Sequence, residues 1–319
     1  FVLSVPKRLR PYLHHRPRTA TAVLHILLRA LLATLKEASP TAPATASIGT
    51  VSFLHRFGSS LNPHFHFHLA VVDGLFERID PEPDPTNPAD HLRFHEATAL
   101  SAQLLESLQN TVRKRVLRHF RRHGLLEPHE AEDMLGWDHG GGFSLDATVR
   151  IEATDRAGLE RLIRYCARGP FALERLHLVD GRSDQILYVL PEPDLAGRTA
   201  LRLSALEFLD RLATILPPPR IHRHRYHGVF APNAPLRPLV TSRAHQDNAL
   251  AVQGPGPPLP LPPNPTVPAH QPKGAEARTP DTAPSRPSRW AVLLARIYEV
   301  FPLICPSCQT PLTFIAFLT

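Results

Sequence analysis

Asn62-Pro63-His64-Phe65-His66-Phe67-His68-Leu69-Ala70-Val71-Val72-Asp73-Gly74 alternates imidazole and phenyl side chains through its first half. In an extended strand successive side chains point to opposite faces. His64, His66 and His68 therefore share one face, and Phe65 and Phe67 take the other. Such a row can chelate a cation, because neutral ring nitrogens are held at fixed spacing and aimed the same way. The same pattern also suits a half-buried strand that carries histidine on its wet side.

Working outward, residues 50–55 are β-branched and aromatic and read as a strand before the histidine row. The turn Arg56-Phe57-Gly58-Ser59-Ser60 is short enough for the two strands to pair antiparallel. That pairing either brings His55 to the row as a third ligand or leaves it an exposed edge residue. Residues 1–5 form a further strand, closed by Pro6. Over 18–37, Val23, Leu24, Leu27, Leu28, Leu31, Leu32 and Leu35 recur at helical spacing, a stripe that needs a sheet beneath it.

Downstream, residues 77–90 are an acidic, proline-broken loop, and 98–122 a helix with Leu104, Leu108, Val112, Val116 and Phe120 four apart. Residues 143–151 alternate as a strand buried on one face, and 156–168 form a helix capped by Asp155. A hairpin around Asp180-Gly181, a strand at 199–203, a helix at 205–216 and a basic run at 221–230 follow. The fold class is α+β: a central antiparallel sheet carrying the histidines, flanked by helices. Three regions are expected. Residues 1–240 are the main domain, 241–289 a disordered Pro-rich linker, and 290–319 a helix plus a Cys-x-x-Cys tail.

The 36 Lys and Arg exceed the 29 Asp and Glu, a net charge of +7, which favours an anionic partner. Three cation sets could meet a phosphate backbone or simply be solvated: Arg113, Lys114 and Arg118; Arg161, Arg164 and Arg168; Arg223 and Arg225. On the 156–168 helix, Leu159, Leu162, Ile163 and Cys166 form the apolar stripe, and Tyr165 falls at its edge. A tyrosine set there among guanidinium groups can present its oxygen to an anion, or merely pack on the surface.

Three cysteines argue against a disulfide framework and for a reducing compartment. Cys305 and Cys308 have zinc-knuckle spacing but supply two of the four ligands zinc wants. No apolar run reads as a membrane span, since His25 and Arg29 interrupt 20–35. Opening on Phe1, with Met134 its one methionine, the chain reads as trimmed at its start.

Taken together the pieces are more specific. Arg56-Phe57-Gly58-Ser59-Ser60-Leu61-Asn62 runs into His-Phe-His and Asp73-Gly74. Arg164-Tyr165-Cys166-Ala167-Arg168, Pro170-Phe171-Ala172-Leu173-Glu174-Arg175-Leu176, Arg225-Tyr226-His227-Gly228-Val229-Phe230-Ala231-Pro232-Asn233 and the terminal Cys-Pro-Ser-Cys follow. The whole resembles the rolling-circle insertion-sequence transposases of the HUH (His-hydrophobe-His) endonuclease superfamily, over most of 1–237 and 290–319.

The resemblance implies a bacterial cytoplasmic enzyme acting on single-stranded DNA at element ends and target. A metal pair falls at His66 and His68, with His64 able to substitute and His55 as third ligand, and holds Mg²⁺ or Mn²⁺. Tyr165 is the implied nucleophile, giving a 5′-phosphotyrosine and a free 3′-OH. The family's usual second tyrosine, four residues away, is missing here, since Arg161 and Gly169 stand in those places. Its zinc-binding segment is expected to lie before Phe1. Two other readings compete: a DNA-binding remnant without chemistry, and a zinc hydrolase, which lacks a His-Glu-x-x-His helix.

Overall fold

The computed structural model describes residues 1–79, 91–179, 182–194, 196–217 and 221–252. The chain divides into a unit Phe1–Gly254 and a unit Pro255–Thr319, and every described residue lies in the first. Cys305, Cys308, the 290–301 helix, the Asp180-Gly181 turn and most of the acidic loop fall outside the described residues.

The central element is β3 (Pro63–Arg78), paired antiparallel with β2 (Ser47–Phe57) along its length. Its first half also pairs with β1 (Val2–Ser4) and its second half with β4 (Leu92–Glu96). β5 (Ser144–Asp146) extends the sheet beyond β1, and β9 (His224–Gly228) closes the other edge on β2. A second antiparallel sheet contains β6 (Leu176–Val179), β7 (Arg182–Val189) and β8 (Ala200–Ser204). The architecture is α+β, with an antiparallel central sheet flanked by helices.

Period-two burial divides the central sheet. Phe65, Phe67, Leu54 and Leu69 are buried in one apolar cluster with α1 (Arg10–His15), α2 (Pro17–Ala38) and α3 (Ala102–Arg122). From α2 come Val23, Leu24, Leu27, Leu31 and Leu35, and from α3 Leu108, Val112, Val116 and Phe120. Among the described helices α2 alone is long and apolar enough to cross a bilayer, and its burial against the sheet accounts for that composition. A second cluster joins Phe57 and Leu61 to Tyr188, Leu190, Leu201, Leu203 and the Phe208 and Ile215 of α6 (Ala205–Ile215). Ser204 caps α6 reciprocally with Glu207.

Three expectations are corrected. The strand anticipated over 143–151 is only Ser144–Asp146, because β1 offers a ladder over Val2–Ser4 and no further. Past it Val149 is 61% exposed and Arg150 turns to Asp73, 3.2 Å away. The 98–122 helix begins at Ala102, where the Ser101 hydroxyl accepts the Leu104 N–H. Finally, α7 (Arg237–Val252) carries helix into the stretch from 241 expected as linker, whose proline-dense part begins only after Val252.

Gly228 ends β9 with φ +59°, and a Cβ there would lie 1.7 Å from the Ile48 carbonyl oxygen. Only glycine fits both the backbone and the space.

Candidate metal and tyrosine site

The β2–β3 ladder sets His55 directly opposite His66 and Phe53 opposite His68. Directly opposed residues on one face have Cβ atoms about 5 Å apart. His55, His66 and His68 thereby converge, each offering one ring nitrogen, with all three within 4.8 Å of one another. His64 lies on the same face, its ring centroid 4.8 Å from that of His66, but outside that group of three. His55, and not His64, completes the group of three that could hold a metal ion.

Hydrogen bonds orient the rings. His55 Nε2 lies 2.6 Å from the Cys166 carbonyl oxygen, and His66 Nδ1 lies 3.0 Å from that of His64. A carbonyl only accepts, so each of these nitrogens carries the proton and the other ring nitrogen keeps its lone pair. His55 Nδ1, His64 Nε2 and His68 Nε2 are buried without a hydrogen-bond partner. Buried polar atoms are normally satisfied, so these lone pairs are what a cation would use. Burial, foremost, and neighbouring positive groups push the His55 pKa down to about 4 and that of His68 to about 3. His66 moves the same way, again chiefly through burial. All three are neutral at pH 7, the form that ligates metal.

α5 (Arg156–Ala167) covers this face, and Asp155 caps its start by accepting the Gly158 N–H at 2.7 Å. Cys166 turns inward, 4% exposed, while Tyr165 beside it is 48% exposed. The Tyr165 ring sits edge-on to His68, centroids 5.8 Å apart. Arg168 donates to the phenol oxygen at 3.3 Å, with its guanidinium carbon 4.2 Å from the ring centroid. An open cleft lies beside this group, lined among others by His64, His66, Arg168, Phe171 and Arg175. A phenol, a guanidinium and three neutral imidazoles thus meet at one place, which suits binding and attacking a phosphodiester.

The other anticipated cations scatter. Arg161 and Arg164 are exposed on α5, near Asp155 and Glu160 respectively. Lys114 and Arg118 are exposed on α3, whose apolar side packs on the Phe65/Phe67 side of the sheet, away from the imidazoles. Arg113 is corrected outright. It is 8% exposed and donates to the carbonyls of Met134 at 2.7 Å and Trp137 at 2.9 Å, closing the end of α4 (Pro128–Gly136). A guanidinium buried against these carbonyls is turned away from a DNA backbone.

On β9 the cations, expected either to meet a phosphate backbone or to be solvated, are half-buried. Arg225 donates to Thr21 Oγ1 of α2 at 3.0 Å and His227 faces Ser52, so its cationic side looks toward the helices. Arg223 borders a small apolar cavity on that side, with Leu54 and Phe65. Missed altogether were the Cys166 carbonyl, for which side-chain chemistry carries no signal, and Arg175, which stood unremarked in the run beginning at Pro170.

Comparison with known protein families gives a match over the site. The profile of the family described as "Putative transposase" (Y2_Tnp) aligns with residues 49–236, more than half of the chain, covering β2 from Gly49 on and all of β3, α5 and β9. No curated protein and no solved structure matches. On the strength of that alignment, which spans the imidazoles and the tyrosine, the chain belongs to this transposase family.

Proposed function

We propose that the chain cuts and rejoins single-stranded DNA, with Tyr165 as nucleophile beside a divalent cation held by His55, His66 and His68. The observation that carries this is the Tyr165 ring 5.8 Å from His68, next to imidazole lone pairs with no other use. When bound, the cation supplies positive charge to the non-bridging oxygens of the scissile phosphate. Nitrogen donors suit a first-row transition ion better than Mg²⁺, so Mn²⁺ is the better fit of the two.

The chain's own groups do the rest. Arg168 holds the phenol oxygen and offers a second set of N–H donors to the phosphate. The Tyr165 oxygen attacks phosphorus, the bond to the 3′ oxygen breaks, and that oxygen leaves with a proton as a 3′-OH. The 5′ side stays on the enzyme as a phosphotyrosine. Attack by a 3′-OH on that linkage reverses the step and joins strands without ATP, since one phosphodiester is exchanged for another. Single-stranded DNA suits the cleft because its backbone can bend into it.

The test is incubation with single-stranded oligonucleotides labelled at the 3′ end, with Mn²⁺, followed by denaturing electrophoresis. A labelled protein adduct is expected, and Tyr165→Phe removes it. Equal cutting by Tyr165→Phe would instead favour a metal hydrolase. DNA binding without any cutting by the wild type would leave a binding remnant.

A further inference from the structure

The side of β9 that faces the imidazoles carries rings rather than arginines. His224 and Tyr226 alternate with Arg225 and His227, and the latter pair is engaged by Thr21 and Ser52 toward the helices. His224 and Tyr226 therefore project on the His55 side of the sheet. Both are exposed, Tyr226 by 46%. Their rings are 5.9 Å apart.

This pair connects to the site through the sheet. His68, Phe53 and His224 are successive partners across β3, β2 and β9. Two inter-strand spacings put His224 about 10 Å from His68. Phe53 between them is 6% exposed, its ring 6.3 Å from that of His224. The Arg237 guanidinium stands 5.8 Å from the Tyr226 ring. Further along the same face Phe76 and Phe230 lie over Gly49, where a Cβ would sit 3.0 Å from the Phe230 ring, and Phe94 is 43% exposed beside Phe76.

Exposed rings on an edge strand are an aggregation hazard unless something uses them. An occupant must present flat π-faces and negative charge, because the rings lie between Arg168 at the cleft and Arg237 at the edge. Unpaired nucleobases on a phosphate backbone meet both conditions, whereas a duplex buries its base faces in its own stack.

We infer that His224 and Tyr226 form a stacking platform for unpaired bases of the DNA strand whose scissile phosphate lies at Tyr165. The inference rests on the proposed strand-cleavage reading and adds to it which part of the substrate the β9 edge holds. The platform fixes which nucleotide reaches the phenol by gripping bases a set distance from the cut.

The experiment measures binding of fluorescein-labelled oligothymidylate, and of a hairpin duplex of equal length, to the full chain across a salt series. Stacking is worth about 1–3 kcal/mol per base, so Tyr226→Ala and His224→Ala should each weaken oligothymidylate binding about 5- to 150-fold. Tyr226→Phe, which keeps the ring, should stay within about twofold. The salt slope should stay at the wild-type value in all three, since no phosphate contact is removed. Thermal melting checks each variant's fold, and His224→Ala decides the question if Tyr226→Ala unfolds.

Wild-type affinity in both alanine variants overturns the platform. An equal loss toward duplex does so too, as does a changed sedimentation coefficient that assigns the rings to a second copy of the chain. Adduct formation together with Tyr226-independent binding would sink the platform alone. Tyr226-dependent binding without any adduct would sink only the cleavage chemistry.

Discussion

His55 and His64 are the residues that separate a metal centre from a decorative row of imidazoles. His55 has its Nε2 proton tied to Cys166 and its Nδ1 lone pair buried and unpartnered, facing His66 and His68. His64 shares the face but stands one step outside the group of three. Mn²⁺ titration followed by electron paramagnetic resonance should therefore show His55→Ala weakening binding at least about tenfold, since a ligand is lost. His64→Ala should leave binding within about twofold, and the reverse order would reassign the third ligand. Arg113 tests a different kind of role. Its N–H groups satisfy carbonyls at the end of α4, and hydrogen bonds to a charged group are worth about 1.5–3 kcal/mol. Urea unfolding of Arg113→Ala should show a loss of about 2–3 kcal/mol, with oligonucleotide affinity unchanged. The sequence held a clue to this: Leu117 and Phe120 stand four and seven residues on, so Arg113 borders the buried stripe of α3.

At the scale of elements, the histidine row could be read because alternation has a fixed physical meaning in a strand, and the short connection from Gly58 to Asn62 leaves β2 and β3 little choice but to pair. Register was harder. That His55 opposes His66 depends on irregularities between His55 and Phe57 and between Ile48 and Thr50, which no local pattern announces. The side on which β9 shows its arginines was also hidden, because it depends on which partner strand the run joins, far away in sequence. α5 departs from its amphipathic pattern too. Leu159, in the expected stripe, is 40% exposed, and among its residues only Gly158 and Cys166 are buried. A helix held by so little apolar area opens before the core does. Native-state hydrogen exchange should find α5 amides protected far less than those of α2, with β2 and β3 near the global limit. Saturating Mn²⁺ and oligonucleotide should raise α5 protection through mass action if the bound state uses Tyr165 and Arg168 as proposed. Equal protection of α5 and α2 in the free chain would show that α5 is docked more firmly than its burial implies.

Across the whole molecule, the chain places neutral histidines on both sides of one sheet, and this shapes its response to acid. Away from the proposed metal centre, His14 is 6% exposed against Phe65, and burial, followed by Arg56, His15, Arg10 and His64, lowers its pKa to about 4. His227 falls to about 4 as well, first through burial and then through His25 and Arg225, with Ser52 Oγ 2.8 Å from its Nε2. An unfolded histidine titrates near 6.5. On acidification the unfolded chain takes up these protons first, so it is favoured progressively as pH falls from about 6.5 to about 4, and no further below that. Stability contributed by the neutral rings is thus complete above pH 6.5 and lost across that window, on the order of 1–2 kcal/mol per histidine after allowance for residual solvation. Among the described residues no acidic group offsets it at either site, because every charged neighbour named is an arginine or another histidine. Denaturant midpoints measured in chelator, to keep metal out of the balance, should drop between pH 6.5 and 4 and level off beneath. His14→Phe keeps a ring against Phe65 without a titrating group, so its curve should be flatter than the wild type by about the contribution of one histidine. A parallel curve would mean that His14 reaches solvent when charged, and that the acid sensitivity belongs to the imidazoles of the site.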